Sequence, residues 1–188
     1  MTRIVLRILN PWLFVLSVIL VVALQTSLFQ LPLMKTLQPD WVLLAVVWCG
    51  LERSFYEGGI LTLIFAYLME IHSAAPQGTF LLTYILVFFL IRIAAHALVL
   101  PNRSSLVLLC MGSVAAWKIL NLALLGYLGL GTAPLHHFFI NLIPSALATG
   151  ASAWFLLPWL EWFDRKTYKS HRAFHLLDDE IIWDGGSY

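Results

Sequence analysis

A few ionisable side chains stand inside or beside the long apolar stretches of this 188-residue chain, and any chemistry would have to come from them. In "YLMEIHSAAPQGTFLL", residues 67–82, Glu70 and His72 precede a patch of small residues and a Pro76-Gln77-Gly78 turn. Arg92 lies in "FFLIRIAAH" and Lys118 in "AAWKILN", each within an apolar run. A charge at the bilayer centre costs about 2.5–3.5 kcal/mol on insertion scales, so such a group turns to the bundle interior, to water or to a partner. Glu70 therefore has two readings. It is a solvated residue at the membrane surface, or a carboxylate turned inward that accepts hydrogen bonds and fixes the following turn. Lys118 either packs against polar groups such as Asn121 or Asn141 for stability, or lines a cavity or a contact with another protein.

Other reactive side chains do not assemble into a recognisable centre. Cys49 and Cys110 lie far apart in apolar runs, outside any CxxC or Cys/His spacing, and read as small hydrophobes. His96 and the His136-His137 pair have no carboxylate or thiol at ligand spacing, and adjacent histidines diverge on a helix. Gly126, Gly129 and Gly131 lack the preceding strand and the following lysine of a phosphate-binding loop. No catalytic residue, metal site or cofactor is expected.

The elements that must position these residues follow from composition. The chain is 61% hydrophobic and 11% charged, against about 45–50% and about 25% in soluble domains. Its apolar runs are continuous rather than alternating, which predicts an all-α integral membrane protein and not a barrel. About six transmembrane helices are expected, near residues 12–33, 41–51, 60–71, 80–100, 106–130 and 138–160. The second and third are short. They are read as tilted or shielded spans whose Glu52, Arg53 and Glu57 reach the headgroups, with a re-entrant hairpin as the other option. The basic N-terminus with its long apolar run is read as an uncleaved first span rather than a signal peptide.

Sidedness follows from the cations in short loops. With the N-terminus inside, the cytoplasmic segments carry Arg3, Arg7, Arg53, Arg103, Arg165, Lys166, Lys169 and Arg172, against Lys35 alone outside. Both termini are predicted to be cytoplasmic, with residues 1–163 forming the membrane domain and residues 164–188 a cytoplasmic tail. Trp159, Trp162 and Phe163 in "LLPWLEWFDRK" read as an interface anchor. The tail is basic as far as Arg172, which suits anionic lipid headgroups. Its end, "LLDDEIIWDGGSY", sets Trp183 among Asp178, Asp179 and Glu180, and reads as either disordered or a docking peptide. The near-neutral balance and lack of a basic cluster predict no nucleic-acid partner.

The stretch "LQPDWVLLAVVWCGLERSFYEGGILTLIFAYLMEIHSAAPQG" resembles the signature of the rod-shape-determining protein MreD family. Pro39, Asp40 and Trp41 match the opening of that family's second span, and Pro76 and Gly78 match its closing turn. Glu70 stands where the family usually has Asp, and Ala66 and Tyr67 stand where it commonly has glycines. "INLIP", containing Asn141, looks like the start of the family's sixth span. The resemblance implies a non-enzymatic scaffold subunit of the cell-elongation machinery in the bacterial inner membrane. It implies an MreC-like bitopic partner and, indirectly, a RodA-type glycosyltransferase, a class B penicillin-binding protein and the MreB filament. It further implies a bundle similar to the substrate-binding subunits of energy-coupling vitamin transporters. That likeness, with Lys118, Arg92, Glu70 and Asn141, motivates the alternative of a small-molecule-binding or carrier subunit.

Overall fold

The computed structural model describes residues 2–28, 38–73, 75–97, 103–129 and 135–166. Among them the chain forms six helices and no strand: α1 (Thr2–Leu28), α2 (Trp41–Glu52), α3 (Phe55–Ile71), α4 (Thr79–Ala97), α5 (Arg103–Tyr127) and α6 (Leu135–Lys166). Among the described residues three stretches are long and apolar enough to cross a membrane: Thr79–His96, Arg103–Tyr127 and Asn141–Lys166. Large apolar side chains such as Leu16, Leu108 and Phe155 face outward, as lipid rather than water would permit.

Local chemistry sets the helix ends. Asp40 starts α2, its side chain accepting from the Leu43 N–H, which satisfies an orphan donor of the first turn. The chain leaves α2 at Arg53, whose backbone is extended. Ser54 then caps α3 by accepting from the Glu57 N–H. This Ser-x-x-Glu pattern starts α3 at Phe55, several residues before the apolar run that marks it in sequence. At the other end of α3 the chain turns through Gly78, whose φ of +89° suits glycine, and enters α4.

The shortest helix occupies the centre. Every residue from Val42 to Leu51 is buried, and α2 touches all the other helices. Its 12 residues reach about 18 Å at about 1.5 Å per residue, well short of a hydrocarbon core about 30 Å thick. Neighbouring helices shield it on every side, so its two ends bring polar residues deep into the bundle. One end carries Asp40 and the other Arg53.

Candidate functional site

The Arg53 end is closed by a polar knot. Arg53 places one guanidinium nitrogen 2.5 Å from Asp164 Oδ1. The other donates to Asn10 Oδ1 at 2.5 Å and to Glu57 Oε1 at 3.0 Å. Asn10 Nδ2 donates to Asp164 Oδ1 at 3.2 Å, and Trp48 Nε1 to Asp164 Oδ2 at 2.9 Å. The guanidinium carbon also lies 5.2 Å from the centre of the Phe14 ring. These contacts join α1, α2, α3 and α6 around one buried cation, and the surrounding donors and acceptors offset its desolvation. Arg53 is thus turned inward, not outward to the headgroups as its place in a short loop suggests. Its side chain is 0% exposed. Near it on α6, Arg165 pairs with Glu161.

The Asp40 end is built differently, around a recess. The Asp40 carboxylate accepts from Leu43 N–H and from Tyr84 Oη–H, the latter at 3.2 Å to Oδ2. Its own N–H donates to Thr149 Oγ1 on α6 at 3.1 Å. The Pro39 carbonyl accepts from Gln25 Nε2 on α1 at 3.2 Å. Three helices, α1, α4 and α6, therefore converge on the first turn of α2. The rings of Phe80, Tyr84 and Trp117 stand side by side, with centroids 5.9–6.0 Å apart. Beside them opens a cavity of about 410 Å³, whose wall includes Gln25, Asp40, Phe80, Trp117, Lys118 and Asn141.

Lys118 Nζ donates to the main-chain carbonyl of Asn141 at 2.8 Å, rather than to the amide side chain of Asn121 or Asn141. It lines the same cavity as Asp40, so a cation and a carboxylate share one wall. Two residues of the wall, Gln25 and Trp117, each carry a buried polar atom without a hydrogen-bond partner, Oε1 and Nε1 respectively. The volume lies within the range of about 300–1,000 Å³ usual for small-molecule sites.

Glu70 acts at the same end as a brace. Its Oε1 accepts from the Gly78 N–H at 2.5 Å and its Oε2 from the Leu81 N–H at 3.2 Å. A carboxylate from the end of α3 thus caps the start of α4, where the helix dipole favours negative charge. The Pro76 carbonyl accepts from Thr79 N–H within the same turn.

The other sequence-marked residues are dispersed. Trp41 opens α2 half-buried. Arg92 lies on α4 with its guanidinium carbon 5.8 Å from the Phe88 ring centre, away from the recess. Asn121 is half-buried on α5. Trp183, Asp178, Asp179 and Glu180 lie outside the described residues. Among the described residues no group of three or more His, Cys, Asp or Glu could hold a metal ion. The sequence reading missed Asn10, Gln25, Tyr84, Thr149 and Asp164. The one signal available was charge sign: Arg53 and Asp164 were both predicted to lie on the same side.

No family model, curated protein or solved structure matches the chain.

Proposed function

We propose that this chain is a membrane scaffold subunit of the MreD type, non-enzymatic, serving the bacterial cell-elongation machinery. In this reading it spans the inner membrane six times with both termini in the cytoplasm, in a bundle like that of vitamin-transporter binding subunits. It works by holding an MreC-like bitopic protein, and through it the peptidoglycan-synthesising enzymes. One observation supports the reading: the signature residues Asp40, Glu70 and Gly78 all brace one end of the bundle. Asp40 fixes the start of α2, and Glu70 with Gly78 fixes the turn into α4. A formed, rigid end of this kind is what a docked segment of a partner requires, because pre-organisation lowers the cost of association.

The test is co-expression with an MreC-like scaffold, followed by affinity recovery from solubilised membranes. The wild-type chain should recover the scaffold in near-equal amount. Glu70→Gln keeps one acceptor oxygen and loses the charge, so the α3–α4 turn loosens while the span remains apolar. Its membrane level should match wild type and its scaffold recovery should fall several-fold. Recovery no better than from an unrelated multi-span control would overturn the proposal.

A further inference from the structure

The recess at the Asp40 end is more than packing leaves behind by accident. An apolar void inside a bundle is lined by Leu, Ile and Phe and needs no guest. This one is walled by an ammonium, a carboxylate, three amides, a hydroxyl and an indole, together with the ring of Phe80 and the thioether of Met69. Lys118 has three donors and spends one of them on the Asn141 carbonyl. Gln25 is 94% buried, anchored through its Nε2 to Pro39, and its Oε1 has no partner. Trp117 Nε1 is a buried donor in the same position. Buried polar groups are almost always hydrogen-bonded, and two of the six exceptions among the described residues belong to side chains of this one wall.

The arrangement also separates its demands. Cationic and donor groups come from α5, through Lys118 and Trp117. Acceptors come from α1 and the start of α2, through Gln25 and Asp40. An apolar wall lies beside them, from Met69 and Phe80. A guest that answers all of these is small, carries an anionic carboxylate toward α5, presents an N–H or amino group toward Gln25 and Asp40, and has an aromatic or apolar body.

We propose that the cavity among the six helices is a binding site for a small carboxylic acid bearing an N–H donor and an apolar ring. Lys118 holds the carboxylate, Gln25 and Asp40 receive the donor, and Phe80 and Met69 cover the ring. The site rests on the cavity alone and is independent of the scaffold reading, since a scaffold needs no such guest.

Hippurate (N-benzoylglycine) and L-phenylalanine are suitable probes, because each carries a carboxylate, an N–H donor and a phenyl ring. The full chain, purified in detergent or in nanodiscs, is titrated with each while its thermal unfolding is followed. A saturable rise in melting temperature is expected with at least one acid. The methyl ester of that acid, which keeps the ring and the N–H, should bind about tenfold more weakly or worse, as loss of a charge-assisted hydrogen bond implies. Lys118→Met should weaken the acid by a similar factor and leave the ester unchanged, and Gln25→Leu should weaken both. An equal response to acid and ester would overturn the site, because binding would then be hydrophobic only. So would an absence of saturable response to both acids, which would leave a cavity filled by water. Should Lys118→Met fail to fold, the acid-against-ester comparison on the wild-type chain decides alone.

Discussion

At the scale of single residues, the chain sorts its polar groups by how completely they are matched. Arg53 is matched on nearly every side: Asp164, Asn10 and Glu57 accept from it, and Phe14 lies against its face. Removing one member of such a set leaves the others buried and uncompensated, which costs about 3–5 kcal/mol. Arg53→Met and Asp164→Leu should therefore each lower stability by about that amount in a denaturant or thermal titration of the solubilised protein. The double variant should lose clearly less than the sum, since the second change removes a charge already stranded by the first. Strict additivity would show that the two do not depend on each other. Apart from the Arg53–Glu57 spacing of four, this pairing was not legible in the sequence. Arg53 looked like a loop cation with water to reach, and besides Glu57, one turn on, its acceptors lie 43 and 111 residues away. Lys118 and Asn141 were legible as polar residues in apolar runs, because their type conflicts with their surroundings. That they share a cavity with Gln25 and Asp40 was not, because that depends on which helix faces which.

At the scale of helices, three glycines in unequal surroundings set close approach, Gly50 within α2, Gly58 beside it and Gly150 between α5 and α6. A Cβ on Gly58 would stand 2.8 Å from the Cys49 carbonyl oxygen and 3.0 Å from the Phe88 ring. The first of these is backbone of the neighbouring helix and cannot yield without moving α2 from α3. A Cβ on Gly150 would stand 2.7 Å from Met111 Cγ, and one on Gly50 2.7 Å from Ile91 Cγ2. Both contacts are side-chain carbons, and methionine adapts most easily. Overpacking costs about 1–3 kcal/mol, so Gly58→Ala should fall at the upper end, Gly50→Ala between, and Gly150→Ala near or below the lower end. Melting temperatures of the three variants check the order, and a Gly150→Ala more damaging than Gly58→Ala would contradict it. The helices themselves were legible because long continuous apolar runs leave the backbone little alternative in lipid. Their ends were less so. The start of α3 was read from hydrophobicity, whereas the Ser54 cap places it earlier. α6 runs past residue 163 to Lys166 because Asp164 has partners waiting inside the bundle.

At the scale of the whole molecule, the first and last helices meet around the middle of the chain. Asn10 on α1 reaches Asp164 on α6, and both reach Arg53 at the α2–α3 junction. This contact closes one end of a ring of helices around α2, a core element too short to hold itself in a bilayer. The opposite end stays open as the recess beside Asp40. The polar knot thus fixes the bundle at one end, and the recess beside Asp40 lies at the other. The consequence can be tested by shortening the chain from its C-terminal end. A chain ending at Lys169 keeps α6 whole and keeps the contacts of Asp164 with Arg53, Trp48 and Asn10, so its stability should stay within about 0.5 kcal/mol of the full chain. A chain ending at Leu160 loses Asp164, and with it the acceptor for Arg53, Trp48 and Asn10. It should lose at least as much stability as Asp164→Leu, and α1 should come free first. Amide exchange along α1 reports this directly: protection near Asn10 should survive the cut at Lys169 and collapse after the cut at Leu160. If the Leu160 chain kept α1 protected, then helix packing alone, without the buried ion pair, would hold the first helix to the bundle.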